Sequence, residues 1–343
     1  MKTTRIAING FGRIGRAFLK LAIRREEIDI VAINDLGNEE NLAYLLKHDT
    51  VYGQAPFDVS CKEGFLIVGG KEIHFIQEKD PSKLPWGKLG IDIVVESTGF
   101  FTDYEKAKVH LGAGAKRVVI TAPAKDSSFG GEASKFATVL MGINEEKLKD
   151  CLITSNGSCT TNAVSSVIQI MNETIGVEKA ILSTTHAYTA SQRIVDSPNE
   201  KDFREGRAGA VNIIPSSTGA AHAVTKAITD LEGKFDGISL RVPVDVGSIA
   251  DITFIAKRNT SVEEVNEIFR KAEKEKRWDG LLETSDEPLV SSDIIGNTHA
   301  AIIDLAMTRV VDGNLVKILS WYDNEMGYTN TLVKHVIELG RHI

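Results

Sequence analysis

Apolar residues in the N-terminal half of the chain occur in short continuous runs separated by segments with helical periodicity. The runs at residues 5–9 and 28–34 predict strands, and the segment between them predicts a helix that extends to about Arg25. Similar runs predict strands at residues 91–96 and 117–121. Because buried strands that alternate with helices indicate a parallel sheet, this half is predicted to be α/β.

The pattern changes after about residue 176. Strand-like runs at residues 180–185, 237–242 and 249–256 are joined by longer irregular connections, one of which is residues 188–216. Ser261 precedes Glu264 in a capping-box arrangement that predicts a helix start, and a last amphipathic helix is predicted at residues 327–339. We expect an α+β second domain with a mixed or antiparallel sheet. The length of 343 residues also favours two domains.

The first predicted strand leads directly into a glycine-rich turn. Gly10, Gly12 and Gly15 form a GxGxxG pattern, and Asp35 follows 20 positions after Gly15 at the end of the second strand. In this setting the glycines allow a tight turn and close approach of the backbone to a pyrophosphate at the helix N-terminus. The Asp35 carboxylate would bind the ribose hydroxyls and repel a 2′-phosphate, which favours NAD over NADP. The alternative is a structural glycine turn without a ligand.

Small and hydroxyl residues end two further predicted strands. Ser97, Thr98 and Gly99 follow residues 91–96, and Thr121 ends residues 117–121. We expect these residues at the carboxyl edge of the parallel sheet, where ligands bind. The first half is therefore predicted to be a Rossmann-type dinucleotide-binding domain.

Composition and charge argue against membrane and nucleic-acid classes. The formal net charge of −7 gives no general attraction to nucleic acid or anionic lipid, and no apolar run approaches the ~18 residues of a membrane span. Three cysteines do not form a disulfide framework, and no signal-peptide-like segment precedes the first strand. We expect a cytoplasmic protein with no membrane association, no dedicated nucleic-acid site and no metal site.

The chain places one cysteine at a predicted helix start. Cys159 lies among hydroxyl residues, after a strand-like segment and before apolar residues at helical spacing. Unpaired N–H groups and the helix dipole favour an anion there, so we predict an acidified thiol that acts as a nucleophile. The alternative is a small buried cysteine without a chemical role.

One of the eight histidines is a candidate partner for this thiol. His186 ends a predicted strand and is also surrounded by hydroxyl residues. A neutral imidazole beside a thiol can accept its proton and then stabilise an oxyanion. The sequence does not show that the two side chains meet, and an ordinary core or surface histidine is the alternative.

Seven ordered segments give the chain a resemblance to phosphorylating glyceraldehyde-3-phosphate dehydrogenases. The resemblance covers essentially the whole length. The matching segments are residues 9–16, 96–101, 155–162, 186–189, 212–221, 241–243 and 320–328. It implies a Rossmann domain at residues 1–157 that is completed by a C-terminal helix at residues 324–343. It also implies a catalytic and oligomerisation domain at residues 158–323.

The resemblance implies a role for each matching site residue. Cys159 would be the nucleophile and His186 its base. Thr189 and Arg241 would hold the C3 phosphate of glyceraldehyde 3-phosphate, and Arg204 joins the substrate-binding set. The attacking inorganic phosphate would contact Ser158, Thr160, Thr218 and Gly219. The implied NAD contacts are Gly10, Gly12, Arg13, Ile14, Gly15, Asp35, Lys79, Ser97, Thr98, Gly99, Thr121, Asn324 and Tyr328, with Asn324 on the nicotinamide carboxamide.

The implied reaction is the oxidation of the aldehyde to 1,3-bisphosphoglycerate through a thiohemiacetal and a thioester on Cys159. The family resemblance also implies a homotetramer, with residues 188–216 at a subunit contact. Lys79 stands where the family commonly has an arginine beside the adenine. Two other functions stay open: erythrose-4-phosphate dehydrogenase and a non-catalytic nucleotide- or RNA-binding protein on the same fold. An amino-acid semialdehyde dehydrogenase would not be expected to carry the segment at residues 320–328.

Overall fold

The structure is a computed structural model that describes residues 3–125, 133–200 and 202–343. The chain divides into two compact units. The first contains the chain up to Gly157 together with Thr329–Ile343, and the second is Ser158–Tyr328. The sequence predicts that the chain re-enters the first unit at residue 324. In the structure this boundary lies at Thr329, inside the last helix, Met326–Gly340. The first turn of this helix belongs to the second unit, in which a Cβ on Gly327 would lie 2.5 Å from the His299 carbonyl oxygen.

The first unit is built on a nine-stranded sheet. Its strands and those of a separate short hairpin (β3 and β4) are β1 Thr4–Asn9, β2 Ile28–Asn34, β3 His48–Asp49, β4 Gly53–Gln54, β5 Val59–Lys62, β6 Phe65–Val68, β7 Lys71–Ile76, β8 Ile93–Glu96, β9 Arg117–Ile120, β10 Phe136–Thr138 and β11 Ile153–Ser155. The helices that precede Gly157 are α1 Arg13–Ala22, α2 Glu39–Lys47, α3 Trp86–Leu89, α4 Tyr104–Ala107 and α5 Val109–Gly112.

The strand order of this sheet is β10-β11-β9-β8-β1-β2-β7-β6-β5. All neighbours from β10 to β7 pair in parallel, and β6 and β5 form an antiparallel edge. The α/β prediction for this half is therefore confirmed. Because the chain passes from β1 to β2 on one side and later places β8 on the other, β1 lies at the point where the strand order reverses. Ligands bind at the carboxyl edge of such a point.

Alternate side chains of β1 enter two separate apolar layers of this unit. Ile6 and Ile8 pack in a layer that contains α1 and the C-terminal helix, whereas Ala7 packs in a layer with Trp86. Both faces of the sheet are thus covered, which is why its central strands read as continuous apolar runs. The predicted helix from the glycine turn to Arg25 is shorter in the structure, since Gly12 stays extended as the N-cap and Ile23 is the C-cap.

The second unit contains an eight-stranded sheet of order β13-β14-β12-β15-β19-β17-β16, with β18 on β19. Its strands are β12 Val177–Ala187, β13 Ile214–Ser217, β14 Phe235–Val242, β15 Ser248–Ala256, β16 Leu282–Ser285, β17 Ala301–Asp304, β18 Arg309–Val311 and β19 Leu315–Tyr322. Its helices are α6 Cys159–Thr174, α7 Ala220–Ala227 and α8 Val262–Ala272, together with the first turn of α9 Met326–Gly340, whose remainder belongs to the first unit.

This second sheet is mixed, as predicted. β12 pairs with β14 in parallel and β16 with β17 in parallel, while the other neighbours are antiparallel. Helix α6 packs against α7, β17 and β19. The Ser261 side chain caps α8 by accepting the Glu264 backbone N–H at 3.2 Å, and Val265 and Phe269 are buried as the pattern predicts.

Candidate active site

Helix α6 begins at the predicted nucleophile. Ser158 is the N-cap, and its hydroxyl accepts the backbone N–H of Thr161 at 3.0 Å. Cys159 is therefore the first helical residue, where backbone N–H groups lack helical partners. Its Sγ lies 3.3 Å from Nε2 of His186, the next-to-last residue of β12. The structure thus brings together the two residues that the sequence singled out separately.

A buried tyrosine ties three elements together behind this pair. The Tyr322 hydroxyl, at the end of β19, lies 2.8 Å from Oγ1 of Thr160 on α6 and 2.8 Å from Oγ1 of Thr184 on β12. The Tyr322 ring meets the His186 ring edge-on at 5.9 Å between centroids. The relative position of thiol and imidazole is therefore set by α6, β12 and β19 together. Sequence reasoning gave Tyr322 no role, although it lies in one of the seven family segments.

Burial shifts the pKa values of both members of the pair in the direction of the uncharged form. It raises the pKa of the Cys159 thiol above the ordinary value, although the Arg241 charge and backbone N–H groups act in the opposite direction. Loss of hydration thus opposes the acidification that the helix start favours, and the nucleophilic role of Cys159 stays a prediction. Burial and then the Arg241 charge lower the pKa of His186 to about 3. An imidazole with this pKa is neutral at pH 7.

Arg241 contacts the opposite side of the His186 ring. The two residues are in register on β14 and β12, and Nη1 of Arg241 lies 2.6 Å from Nδ1 of His186. The same Nη1 lies 3.4 Å from the Ala187 carbonyl oxygen, which is itself 2.7 Å from Nδ1. Nε of Arg241 is buried and has no hydrogen-bond partner within the described ranges.

Thr189 follows β12 and is held by a glutamine that the sequence analysis did not identify. Oε1 of Gln192 accepts the Thr189 backbone N–H at 2.9 Å and the Thr189 hydroxyl at 3.2 Å. The Gln192 amide nitrogen is buried and unpartnered as far as the described chain extends. The sequence signal for this contact is that Gln192 follows Thr189 by three positions. At this spacing a side chain can accept a hydrogen bond from the earlier residue's backbone N–H.

The remaining predicted substrate residues of this unit occupy three kinds of position. The Thr160 hydroxyl is turned inward to Tyr322, and the Thr218 hydroxyl accepts the Ala220 backbone N–H at 3.2 Å. Gly219 is the N-cap of α7 with open space around its Cα. Arg204 is different: it lies exposed in the turn Phe203–Gly206, and none of its hydrogen bonds with the described residues reaches Cys159, His186 or Arg241. The structure does not bring Arg204 to this group.

In the first unit, the glycine turn has the geometry that a dinucleotide requires. Gly10 has a φ of +95°, and a Cβ there would lie 2.6 Å from the Thr98 backbone nitrogen. A Cβ on Gly15 would overlap the Gly10 carbonyl oxygen. A Cβ on Gly12 would meet nothing within 4 Å. Two of the glycines are thus required by packing, and the third leaves free space where a ligand could approach the backbone.

A cavity of about 490 Å³ opens at this turn. Six predicted cofactor residues line it: Gly10, Gly12, Asp35, Lys79, Ser97 and Thr98. The other lining residues are Asn9, Asn34, Leu36, Glu78, Pro81, Phe100 and Phe101, none of which was proposed as a site residue from the sequence. Asn9 and Asn34 are the last residues of β1 and β2. A polar asparagine at the end of a buried strand is the sequence signal that could have identified them as lining residues.

Asp35 fits a ribose-binding role but also has a structural one. Its carboxylate oxygens accept the backbone N–H of Phe11 at 2.6 Å and of Gly37 at 2.8 Å. The first bond ties the glycine turn to the end of β2. Since each carboxylate oxygen has two acceptor sites, both can still accept a ribose hydroxyl.

The other predicted cofactor residues do not line this cavity. The Arg13 guanidinium binds both oxygens of Asp49 at 3.2 Å and packs on the Tyr52 ring. Ile14, Gly15, Gly99 and Thr121 are also outside the lining. Asn324 and Tyr328 belong to the second unit, where Oδ1 of Asn324 accepts the Gly247 backbone N–H at 3.2 Å and the Ser248 hydroxyl at 3.1 Å.

A buried polar network supports the floor of the cavity. Asn9, Asn34 and Glu96 are in register on β1, β2 and β8. Glu96 accepts from Asn9 Nδ2 at 2.6 Å and from the Thr98 backbone at 2.9 Å, and it lies 2.9 Å from Nε2 of His110. A buried carboxylate is thus stabilised by several donors, which fixes the residues that line the cavity.

Within residues 3–125, 133–200 and 202–343, no group of His, Cys, Asp and Glu side chains has the arrangement of a metal site. No helix in that part of the chain is long and apolar enough to cross a membrane.

The chain matches known proteins over nearly its whole length. Residues 4–104 match the NAD binding domain of glyceraldehyde 3-phosphate dehydrogenase, and residues 158–324 match its C-terminal domain. The chain is 44% identical to the glyceraldehyde-3-phosphate dehydrogenase of Mycobacterium avium over 99% of its own length and 100% of that protein. It is 49% identical to the glyceraldehyde-3-phosphate dehydrogenase of Thermotoga maritima, over 96% of its own length and 97% of that protein. The chain belongs to the glyceraldehyde-3-phosphate dehydrogenase family.

Proposed function

We propose that this protein oxidises glyceraldehyde 3-phosphate to 1,3-bisphosphoglycerate, with reduction of NAD and uptake of inorganic phosphate. The observation that carries the proposal is the 3.3 Å contact between Cys159 Sγ at a helix start and Nε2 of a neutral His186. The names of the relatives support glyceraldehyde 3-phosphate as the substrate, and the cavity at the glycine turn supports NAD as the cofactor.

The chemistry begins at the thiol. Cys159 adds to the aldehyde carbon while His186 accepts the thiol proton, and the resulting oxyanion is stabilised by the imidazolium and by the free N–H groups at the start of α6. NAD, when bound, supplies the hydride acceptor that converts the thiohemiacetal to a thioester. Inorganic phosphate then attacks the thioester carbon and releases the acyl phosphate.

Two anion sites serve the substrate phosphate and the attacking phosphate. Arg241 is half-buried, and its buried Nε has no hydrogen-bond partner among the described residues. Thr189 offers a hydroxyl, so we assign the C3 phosphate to these two residues. We assign the inorganic phosphate to Ser158, Thr160, Thr218 and Gly219. Thr160 would act through its backbone because its hydroxyl is committed to Tyr322, while Gly219 offers an open helix start.

The residues at the glycine turn fit NAD. Gly12 leaves room for a pyrophosphate, and Asp35 retains acceptor sites for the ribose hydroxyls. Arg13 and Ile14 would contribute backbone N–H groups, because the Arg13 guanidinium is committed to Asp49. We propose a preference for NAD over NADP, and we propose the remaining family contacts, including Asn324 on the carboxamide, as implied by the resemblance.

We also propose a homotetramer in the cytoplasm. Residues 188–200 and 202–216 expose several large apolar side chains: Ile194 at 90%, Phe203 at 84%, Val211 at 76% and Ile213 at 69%. Such a concentration of exposed apolar surface favours a protein contact, and a second copy of the chain is the partner expected in this family. Light scattering on the purified protein tests the assembly, and Phe203→Asp should reduce the mass.

The decisive experiment follows NAD reduction at saturating aldehyde with and without inorganic phosphate. Turnover on glyceraldehyde 3-phosphate that exceeds turnover on erythrose 4-phosphate, and that requires phosphate, supports the proposal. The opposite substrate preference would identify the tetrose enzyme. No reduction of NAD with any phosphorylated aldehyde would favour a non-catalytic binding protein.

A further inference from the structure

The end of β19 lies beside the start of β15. Ser248, the first residue of β15, is in antiparallel register with Tyr322, the last residue of β19. Asn324 follows β19, and its side chain reaches back to the start of β15. Oδ1 of Asn324 accepts the Gly247 backbone N–H at 3.2 Å and the Ser248 hydroxyl at 3.1 Å. All of these residues belong to the second unit.

The donors determine which atom of the Asn324 amide faces Gly247 and Ser248. A backbone N–H can only donate, so the Asn324 atom that meets the Gly247 N–H must be the amide oxygen. Ser248 Oγ accepts the Ala187 backbone N–H at 3.1 Å, and its own proton is therefore available for Asn324. Exchanging the amide oxygen and nitrogen would place N–H groups against each other. The hydrogen bonds thus run in one direction, from Ala187 through Ser248 to Asn324.

The backbone is held on both sides of this contact. Gly247 has a φ of +97°, and a Cβ there would lie 2.3 Å from the Ser291 carbonyl oxygen, so a side chain at this position would force the backbone to move. Asp323, next to Asn324, is fully buried, and its Oδ1 accepts two backbone N–H groups at the start of α9, each at 2.8 Å. The donor and the acceptor therefore have fixed positions.

The nitrogen of the Asn324 amide is left for a ligand. Nδ2 makes no hydrogen bond with the described residues, although only 7% of Asn324 is exposed. Nε2 of Gln192 is buried without a partner, whereas Nδ2 of Asn324 retains access to solvent. Because an amide NH₂ group can only donate, the ligand atom that completes this site is a hydrogen-bond acceptor.

We propose that Ser248, together with the Gly247 backbone, is a positioning residue for the cofactor. It holds Oδ1 of Asn324, so that Nδ2 donates to the carbonyl oxygen of the nicotinamide carboxamide. This inference rests on the proposed function, in which Asn324 contacts that carboxamide. Since a carboxamide has an acceptor side and a donor side, a fixed donor on the protein selects one of its two orientations. The carbonyl oxygen is then the recognised part of the group, and its NH₂ is not recognised by Asn324.

A cofactor analogue identifies the part of the carboxamide that Asn324 recognises. In 3-acetylpyridine adenine dinucleotide a methyl group replaces the NH₂, so the carbonyl oxygen remains and the N–H donors are absent. Calorimetry gives the dissociation constants of this analogue and of NAD. We expect Asn324→Ala to weaken the binding of both by about 3–10-fold, the usual contribution of one hydrogen bond.

The ratio of the two dissociation constants, analogue to NAD, decides the orientation. If Asn324 recognises the carbonyl oxygen, Asn324→Ala should change this ratio by less than about twofold, as for independent groups. If Asn324 recognises the NH₂, the variant should lower the ratio by about threefold or more, since only NAD then loses a hydrogen bond. That result, or binding of NAD that is indifferent to Asn324→Ala, would overturn the proposal.

A double-mutant cycle tests whether Ser248 acts through Asn324. Ser248→Ala should weaken NAD binding by about 3–10-fold in the unmodified background, but by less than about twofold when Asn324 is already replaced by alanine. Effects that simply add in the double variant would show a general structural role and would contradict the positioning role. If Ser248→Ala does not fold, Ser248→Cys replaces it in the cycle, because a thiol fills the space and is only a weak donor.

Ser320→Ala is the matched control for the cycle. Ser320 is also a fully buried serine of the second unit, and its hydroxyl donates to the Ala163 carbonyl oxygen at 3.3 Å. This control loses a buried hydrogen bond away from Asn324, so we expect unchanged dissociation constants for NAD and for the analogue. Weakened NAD binding by Ser320→Ala equal to that of Ser248→Ala would contradict a specific role of Ser248.

These binding measurements do not depend on the aldehyde that the protein oxidises. A protein that binds NAD as expected but oxidises a different aldehyde would correct the proposed substrate and support the inference. Failure to bind NAD would refute the proposed function and the inference together. Binding of NAD with the wrong response to Asn324→Ala or Ser248→Ala would refute the inference alone.

Discussion

At the residue scale, Cys159 and His186 are placed 3.3 Å apart by different elements, and burial shifts the pKa of each in the direction of the uncharged form. A helix start by itself would favour the thiolate, but the loss of hydration has the larger effect here. The geometry places a base within reach of the thiol, so one proton can move between the two side chains inside the site.

Replacing the proposed nucleophile should separate chemistry from binding. Cys159→Ala should abolish NAD reduction while NAD binding by calorimetry persists, because the thiol is the proposed covalent group. His186→Asn should slow turnover by roughly 10²–10⁴-fold, the usual contribution of a positioned base. Cys151→Ala, which removes a buried cysteine of the first unit, is the matched control and should retain activity. Substantial turnover by Cys159→Ala would mean that another nucleophile acts.

Asp35 should affect both cofactor choice and the glycine turn. Asp35→Gly should weaken NAD binding, since it removes the proposed acceptor of the ribose hydroxyls. It should also lower the ratio of kcat/KM for NAD to that for NADP, because a 2′-phosphate is no longer repelled. It should also lower the melting temperature, because the Phe11 backbone N–H loses its acceptor. Asp35→Asn keeps one side-chain oxygen and should retain more of the stability than of the NAD preference. Equal kcat/KM for both cofactors in the unmodified protein would contradict this assignment.

At the element scale, parallel register aligns the polar ends of neighbouring strands. Asn9 pairs with Asn34 on one side and with Glu96 on the other, so three polar side chains meet at the carboxyl edge of β2, β1 and β8. The glycine turn leaves β1 at this edge and packs against the turn that follows β8. The cavity is thus a consequence of strand order and register.

Two alanine substitutions in the turn should have opposite signatures. Gly15→Ala should lower stability by about 1–3 kcal/mol, because its Cβ overlaps the Gly10 carbonyl. Gly12→Ala should leave the melting temperature of the ligand-free protein nearly unchanged, since its Cβ meets nothing within 4 Å, yet weaken NAD binding. Thermal unfolding with and without NAD measures both effects. Unimpaired NAD binding by Gly12→Ala would move the pyrophosphate away from this turn.

At the scale of the whole molecule, each unit contains a buried neutral histidine. His335 of the first unit lies 2.7 Å from the Thr154 hydroxyl and 3.2 Å from Oδ1 of Asn156, and His186 contacts Cys159 in the second unit. Burial is the main cause that lowers the pKa of each to about 3.

This arrangement predicts loss of stability in weak acid. Because the folded pKa lies below the unfolded value near 6.5, protons bind the unfolded chain first, so the stabilisation present above pH 6.5 is lost as pH falls toward 3. In that range each histidine should lower the free energy of unfolding by about 1.4 kcal/mol for each pH unit. Melting temperatures measured from pH 8 to pH 5 should be flat above pH 7 and fall below about 6.5. A flat profile throughout would mean that these histidines are hydrated or charged in the folded protein.

The complete catalytic cycle should stop at the thioester when phosphate is absent. Ser158, Thr160, Thr218 and Gly219 are suited as donors to a phosphate oxyanion, so water should be a poor acyl acceptor. Without phosphate or arsenate we expect a burst of about one NADH per active site followed by slow hydrolysis, as for a trapped acyl-enzyme. Stopped-flow absorbance measures the burst. Steady turnover in phosphate-free buffer would instead identify a hydrolytic aldehyde dehydrogenase.

The sequence by itself determined the local features, because these depend on neighbours along the chain. The limits of β2, the glycine turn, the Ser261 cap and the start of α6 beside Cys159 all follow from periodicity, capping and backbone freedom. The motifs also located Cys159 and His186 individually.

Only the tertiary structure decided what distant residues do to one another. The meeting of Cys159 with His186, the contact of Arg241 with the far side of the ring, and the bridging Tyr322 join residues separated by 27 to 162 positions. For the same reason the sequence could not predict the exposed position of Arg204 or the contact of Gln192 with Thr189. It also could not predict how burial shifts the pKa of the Cys159 thiol. Contacts and burial depend on how strands and helices pack, and packing is not encoded in the spacing of any single motif.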